Sequence, residues 1–175
     1  VCLANLRHPK NHLLLLEAAA TLKNTHPDWT FHFIGKDHED QYSADVKSTI
    51  EELQLENSVY IYGLREDVNH ILGQAAIGVL TSSSEGLPVA LLEYGFNKLA
   101  VVATNVGEIP NIIKDNGNGF IIPYDAPDKL YAALSKLIDD ADLRQKFGIA
   151  LHQTIIEHHS EKAVIEKYIN WIIKI

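Results

Sequence analysis

Cysteine is nearly absent from this chain: Cys2 is the single one in 175 residues. One thiol excludes an internal disulfide and a cysteine-based metal cluster, and it fits a reducing, cytoplasmic setting. Methionine is missing altogether, and the chain opens on VCLANL, a strand-like run. We read that opening as the edge of a piece cut from a longer polypeptide. Positive charge is scarce too. Lysine and arginine number 15 against 23 acidic residues, a formal net charge of -8, which argues against a nucleic-acid partner because such domains present a basic face to phosphates. No stretch reads as a signal peptide, and no apolar run reaches the roughly 18 residues needed to span a bilayer. Repeats and low-complexity segments are missing as well. What is present is ordinary globular material, 46% hydrophobic, enough for one domain over residues 1–175 with little room for a second.

Short β-rich runs recur at Val1–Ala4, Trp29–Ile34, Val59–Tyr62, Ile77–Leu80, Val101–Ala103 and Phe120–Ile122, most bounded by glycine or small polar residues. Helical spacing of apolar residues fills the gaps at Asn11–Lys23, Ala44–Leu53, Val68–Gln74, Val89–Phe96 and Pro127–Ile138. This alternation predicts an α/β domain: a Rossmann-like, doubly wound parallel sheet of about six strands with helices on both faces. Two further helices, Ala141–His158 and Glu161–Ile175, follow without an intervening strand and read as a C-terminal appendage. The apolar end of the last one, with few cations, suits packing against this domain or a missing neighbour better than a membrane anchor.

The most informative stretch is SEGLPVALLE, Ser84 to Glu93, in which two glutamates stand eight residues apart around a Gly-Leu-Pro turn. The run AAIGVLTSSS before it reads as a buried strand ending in small polar residues, and Pro88 suits the first turn of the helix that follows. Such a junction leaves free backbone N–H groups and a positive dipole end at the carboxyl edge of the sheet, where anions bind. Glu85 sits at the mouth of the turn and Glu93 further along the helix. A ligand long enough to cross the helix start, such as a nucleotide diphosphate sugar, meets both.

A basic residue after the first strand, the EX7E pair, then VVATNVGEIPNII and NGNGFIIPYDAPDKL, occur in one order along the chain. Together these segments resemble the C-terminal, donor-binding domain of GT-B glycosyltransferases of family 4, the retaining glycosyl group 1 enzymes, over about Leu3 to Ile138. The resemblance implies a nucleotide-diphosphate sugar as donor, with a UDP-sugar the commonest choice, and no metal. It places Glu85 on hydroxyls of the donor sugar and Glu93 on the ribose hydroxyls, tasks that suit carboxylate acceptors. The N–H groups of Gly86, Leu87 and Val89 would face the phosphates. Lys10 would neutralise the departing diphosphate. An arginine usually stands about five residues before that lysine; here the position is Asn5, with Arg7 two residues later. Gly63, Leu64 and Arg65, after the third strand, occupy the loop where relatives place the base, although plain turn chemistry accounts for them nearly as well. Departures from the family pattern are a lone Gly35 where Gly-x-Gly is common, Lys98 for a glycine, Glu108 for the second of two glycines, and Asn111 for a glutamate.

The resemblance further implies retaining sugar transfer to a hydroxyl acceptor in cell-surface polysaccharide or glycoconjugate synthesis. It makes the N-terminal acceptor domain a missing partner, through which the protein would touch the cytoplasmic face of a membrane. Two other readings stay open: a non-catalytic nucleotide-binding or interaction module, and a glycoside hydrolase built on paired carboxylates. His8 and His12 flank the Lys10 loop and read first as surface or capping residues. The acidic clusters Asp37, Glu39, Asp40 and Asp140, Asp142 read as loop and helix-capping groups before metal ligands. The adjacent His158 and His159 diverge on a helix.

Overall fold

The computed structural model describes residues 1–173, so the final two residues of the expected Glu161–Ile175 helix lie outside the described residues. Strands and helices alternate as β1 (Cys2–Leu3), α1 (His12–Thr25), β2 (Phe31–Ile34), α2 (Gln41–Glu52), β3 (Val59–Ile61), α3 (Val68–Leu72), β4 (Ile77–Leu80), α4 (Val89–Phe96), β5 (Ala100–Thr104), α5 (Ile109–Ile112), β6 (Phe120–Ile122) and α6 (Pro127–Asp139). Two more helices close the chain, α7 (Ala141–His159) and α8 (Glu161–Ile173). All strand pairs are parallel, in two sets ordered β1-β2-β3 and β4-β5-β6. Val1 joins the sets: its amino nitrogen donates to the Ile77 carbonyl at 2.7 Å, and Val79 N–H donates to the Val1 carbonyl at 2.9 Å. The sheet therefore runs β3-β2-β1-β4-β5-β6, with its direction of winding reversing between β1 and β4.

The next rung of that central joint is unlike the others. Leu3 N–H donates to the Tyr94 hydroxyl at 2.7 Å, and the hydroxyl stands 3.3 Å from the Val79 carbonyl. Tyr94 is fully buried, and its ring lies over Gly78, where a Cβ would come within 2.6 Å of the ring carbons. Glycine weakens a strand interior. Here it makes room for the aromatic ring.

Alternation along the central strands feeds two cores. Val79 and Val102 pack with Leu15, Leu16, Leu134 and Leu137 of α1 and α6, whereas Leu80, Val101 and Ala103 pack with Leu91, Ile109 and Leu151 of α4, α5 and α7. Period two in a parallel sheet covered on both faces produces this division. One expectation needs correcting: α7 is no appendage. Phe147, Leu151 and Ile155 are buried, and Gly95 and Gly148 allow α7 to press against α4 and the Lys98–Leu99 backbone. Only α8, which has no buried residue among those described, is appended.

Smaller differences have local causes. Helix α2 begins at Gln41 rather than Ala44 because the Asp40 side chain accepts from Ser43 N–H at 2.9 Å, capping a polar first turn that apolar spacing cannot reveal. Helix α5 is a single turn hidden within GEIPNII. Pro88 occupies the N-cap, one residue before the position expected for it, with extended backbone (φ -76°, ψ 107°). Asp140 caps α7 through Leu143 N–H at 2.8 Å. Lys98, a departure from the pattern that the resemblance implies, has φ 57°, a left-handed conformation that favours glycine.

The junction of α4, β5 and α7 yields a paired expectation for urea unfolding. Gly148→Ala drives a methyl group into the Lys98 carbonyl and should cost about 1–3 kcal/mol. Lys98→Gly should raise stability by about 0.5–1 kcal/mol through relief of the left-handed backbone; equal midpoints for the two variants would contradict this packing.

Candidate functional site

Two loops leave the carboxyl ends of β1 and β4 on either side of the point where the winding reverses, the place where open α/β sheets bind ligands. The β1–α1 loop makes a tight turn over His8–Lys10 and then places Asn11 in the left-handed region (φ 48°). The β4–α4 loop is TSSSEGLP. Its small polar residues are fasteners. Buried Thr81 donates its hydroxyl to the Lys10 carbonyl at 3.0 Å, Ser83 N–H donates to the Pro9 carbonyl at 2.9 Å, and Thr104 of β5 donates to the Ser82 carbonyl at 2.6 Å.

Glu85 is held from three directions. Lys10 Nζ lies 2.6 Å from Glu85 Oε1, the Ser82 hydroxyl donates to the same oxygen at 2.6 Å, and the side chains of Lys10 and Glu85 are 17% and 8% exposed. From below, Gly107 (φ 54°) brings the β5–α5 loop so close that a Cβ there would overlap the Glu85 carbonyl. Glu108 N–H donates to the Gly86 carbonyl at 3.3 Å, and the Glu108 carboxylate in turn accepts from Asn111 Nδ2 at 2.8 Å. The two departures from the family pattern in this loop thus bond to each other. The glycine of GEIP serves the glutamate of SEGLP across the sheet edge.

A cleft of about 460 Å³ opens beside these groups. Asn5, Arg7, Lys10, Glu85, Leu87, Val89 and Glu93 line it, with Leu64 and Arg65. Among the described residues, no internal acceptor pairs with the N–H groups of Gly86, Leu87 or Val89, so the start of α4 presents unpaired donors and the positive end of its dipole. Two other hollows, of about 260 and 340 Å³, lie around Val1 and His32 and bring no lysine or arginine into their linings.

Several candidate residues have duties of their own. Gly63 (φ 68°) is not among the residues lining the cleft; it makes the turn after β3 and accepts Gly35 N–H on its carbonyl at 3.0 Å. Gly86 is likewise outside the lining. The Asn5 side chain accepts Lys36 N–H at 2.9 Å, extending the β1–β2 contact, and Arg65 is clasped by Asp67 through two bonds of 2.9 and 3.0 Å. The lone Gly35 approaches the Ala4 backbone so closely that a Cβ would overlap it. His12 is a core residue against Phe33 and Tyr42, its pKa lowered to about 4 by burial, and His8 is exposed. Asp37 pairs with Lys47 at 2.6 Å, and among the described residues no group of three or more His, Cys, Asp or Glu side chains is placed to hold a metal. Leu3, Ala4, Ile34, Val68 and Ala90 also line the cleft. Their apolar character gave no functional signal; only the sheet's topology could have pointed to them.

Residues 1–154 match the family model described as Glycosyl transferases group 1. The chain belongs to that family. A curated relative, the poly(ribitol-phosphate) alpha-N-acetylglucosaminyltransferase of Staphylococcus aureus, is 27% identical over 158 residues, spanning 90% of this group 1 chain and 31% of that protein. A mutant of TarM from S. aureus, solved in complex with Fondaparinux, alpha-GlcNAc-glycerol and UDP, superposes with a TM-score of 0.87 at 25% identity, covering 96% of this chain and 34% of that one. The C-terminal domain of a glycosyl transferase group 1 family protein from Francisella tularensis matches with a TM-score of 0.83 at 25% identity, covering 91% and 85%. The group 1 domain described here thus has the fold of a GT-B C-terminal domain and spans about a third of the length of its S. aureus relatives. Among its described residues no helix is long and apolar enough to cross a membrane.

Glu93 carries a testable cost. Partial burial raises its pKa, so its contribution to stability is present below its unfolded pKa and is lost as pH rises through the folded one. Glu93→Gln should therefore unfold at a higher urea concentration than the parent at pH 7.5, with the advantage gone at pH 4; an advantage independent of pH would show that the carboxylate is not strained by its surroundings.

Proposed function

We propose that this domain binds a nucleotide-diphosphate sugar, a UDP-sugar in the first instance, and supports retaining transfer of the sugar to a hydroxyl acceptor in the synthesis of a cell-surface polymer. The observation that carries the reading is the convergence of Lys10, Glu85, Glu93 and the unpaired N–H groups at the start of α4 on one cleft at the reversal of the sheet. The S. aureus relatives support it: one is solved with UDP, and the other is named for transfer to poly(ribitol-phosphate). In this reading the amide-rich start of α4 and Lys10 hold the diphosphate, Glu93 accepts from the ribose hydroxyls, and Glu85 accepts from hydroxyls of the sugar.

The chemistry follows from those positions. The anomeric C–O bond to the diphosphate breaks, a C–O bond to the acceptor oxygen forms on the same face, and the proton of the acceptor hydroxyl passes to the departing diphosphate. Charge develops on the leaving oxygens while the sugar gains oxocarbenium character. Fixed donors aimed at the first charge need no reorganisation as it appears, which is how electrostatic preorganisation lowers a barrier. Arg7 stands at the rim as a second cation for the leaving group. Lys10 also masks the negative charge of Glu85, which would otherwise repel an anionic donor.

Calorimetric titration of UDP, GDP and ADP tests the assignment. The parent should bind UDP, and Glu93→Ala and Lys10→Ala should each weaken that binding about 10- to 100-fold, the worth of a charge-assisted hydrogen bond. No nucleotide binding by the parent would favour an interaction module. Hydrolysis of a model glycoside without nucleotide would favour a hydrolase. In this reading the acceptor is held by a second domain, residues 1–175 spanning about a third of the S. aureus relatives; the domain alone should therefore transfer little sugar, and robust transfer would contradict the two-domain reading.

A further inference from the structure

We propose that Tyr94 is a positioning residue that sets the spacing between β1 and β4, and through it the placement of Lys10, Glu85 and Glu93; its consequence for ligand binding rests on the nucleotide-sugar reading above. Parallel strands are joined by evenly spaced bonds. Val1 follows that rule, donating to the Ile77 carbonyl and accepting from Val79 N–H, so the regular partner for Leu3 N–H is the Val79 carbonyl. The Tyr94 hydroxyl stands in that rung instead, accepting from Leu3 at 2.7 Å, with its own proton facing the carbonyls of Val79 at 3.3 Å and Val1 at 3.4 Å. One oxygen atom is inserted into the ladder, and the ladder between these strands ends there.

What lies past the inserted atom is the cleft. Leu3 and Ala4 line it. From β1 the chain runs on to Lys10, from β4 it runs on to Glu85, and Tyr94 directly follows Glu93 in α4. A single side chain thus touches the backbone leading to two of the charged groups and adjoins the third. Its ring cannot shift far, because it rests on Gly78 and is fully buried, so the hydroxyl position is fixed by packing. Without the hydroxyl, Leu3 N–H and the Val79 carbonyl either stay unpaired in a dry interior, which is costly, or close on each other. Either outcome moves one loop relative to the other.

Amide exchange followed by NMR, combined with UDP titration, tests this. In the parent, Leu3 N–H should exchange as slowly as Ala4 N–H, which is bonded to the Ile34 carbonyl; a rapidly exchanging Leu3 amide overturns the inserted rung, whether or not any variant folds. In Tyr94→Phe, measured where the variant is fully folded, Leu3 exchange should accelerate, the Lys10 and Glu85 amide resonances should move, and UDP affinity should fall about tenfold. Replacing Tyr94 by 4-aminophenylalanine, which keeps a polar atom in the rung, should restore most of that affinity. Unmoved Lys10 and Glu85 resonances with unchanged UDP affinity would make Tyr94 a packing residue only and end the proposal. A parent that ignores UDP, with a Phe variant that still displaces Lys10 and Glu85, would sink the nucleotide-sugar reading while supporting the spacing role.

Discussion

The structure hangs on the joint between β1 and β4. The two sets of three strands share the apolar core on one face of the sheet, and between β1 and β4 themselves the Val1 bonds and the Tyr94 hydroxyl tie one set to the other, with Ser83 N–H to the Pro9 carbonyl joining the loops beyond. That joint is also where the winding reverses, so the loops on its two sides leave in opposite directions and open a crevice between them. Folding and site geometry therefore share a few atoms. A core packed on both sides of the sheet keeps those atoms from drifting, since close-packed interiors transmit displacement instead of absorbing it.

Around the joint, small polar residues do work that the two glutamates would otherwise lack support for. Thr81 and Thr104 are buried and each places its hydroxyl on a carbonyl of another segment, while buried Ser82 holds the Glu85 carboxylate within its own loop. Buried hydroxyls satisfied in this way are directional ties between segments distant in sequence. Gly107 adds a steric support beneath Glu85. The result is a set of loops held by the scaffold with little freedom of their own, the arrangement on which binding residues are usually mounted.

Much of this was legible in the sequence because the relevant signals are local. Six apolar runs between glycines and polar turns marked the strands, and the order of TSSSEGLP, GEIP and NGFIIP pointed to one family. What stayed hidden depends on distant contacts. Nothing local tells that Tyr94 spans from α4 to β1, that Gly78 clears space for its ring, or that Gly107 of one loop supports Glu85 of another. Helix α7 read as an addition because no strand precedes it, yet its buried Leu151 and Ile155 join the core beneath α4 and its Phe147 joins the other core. The departure at Lys98 reads as a change in the site until its positive φ shows it to be a matter of backbone conformation.

The ion pair between Lys10 and Glu85 acts as a latch at the edge of the cleft. Drawing Lys10 toward the start of α4 breaks a contact of 2.6 Å, and a group bearing no strong negative charge offers nothing in exchange. On the nucleotide-sugar reading proposed above, an anion that captures the ammonium group would leave Glu85 held by the Ser82 hydroxyl alone, so recognition of one end of a ligand would ready the acceptor for the other.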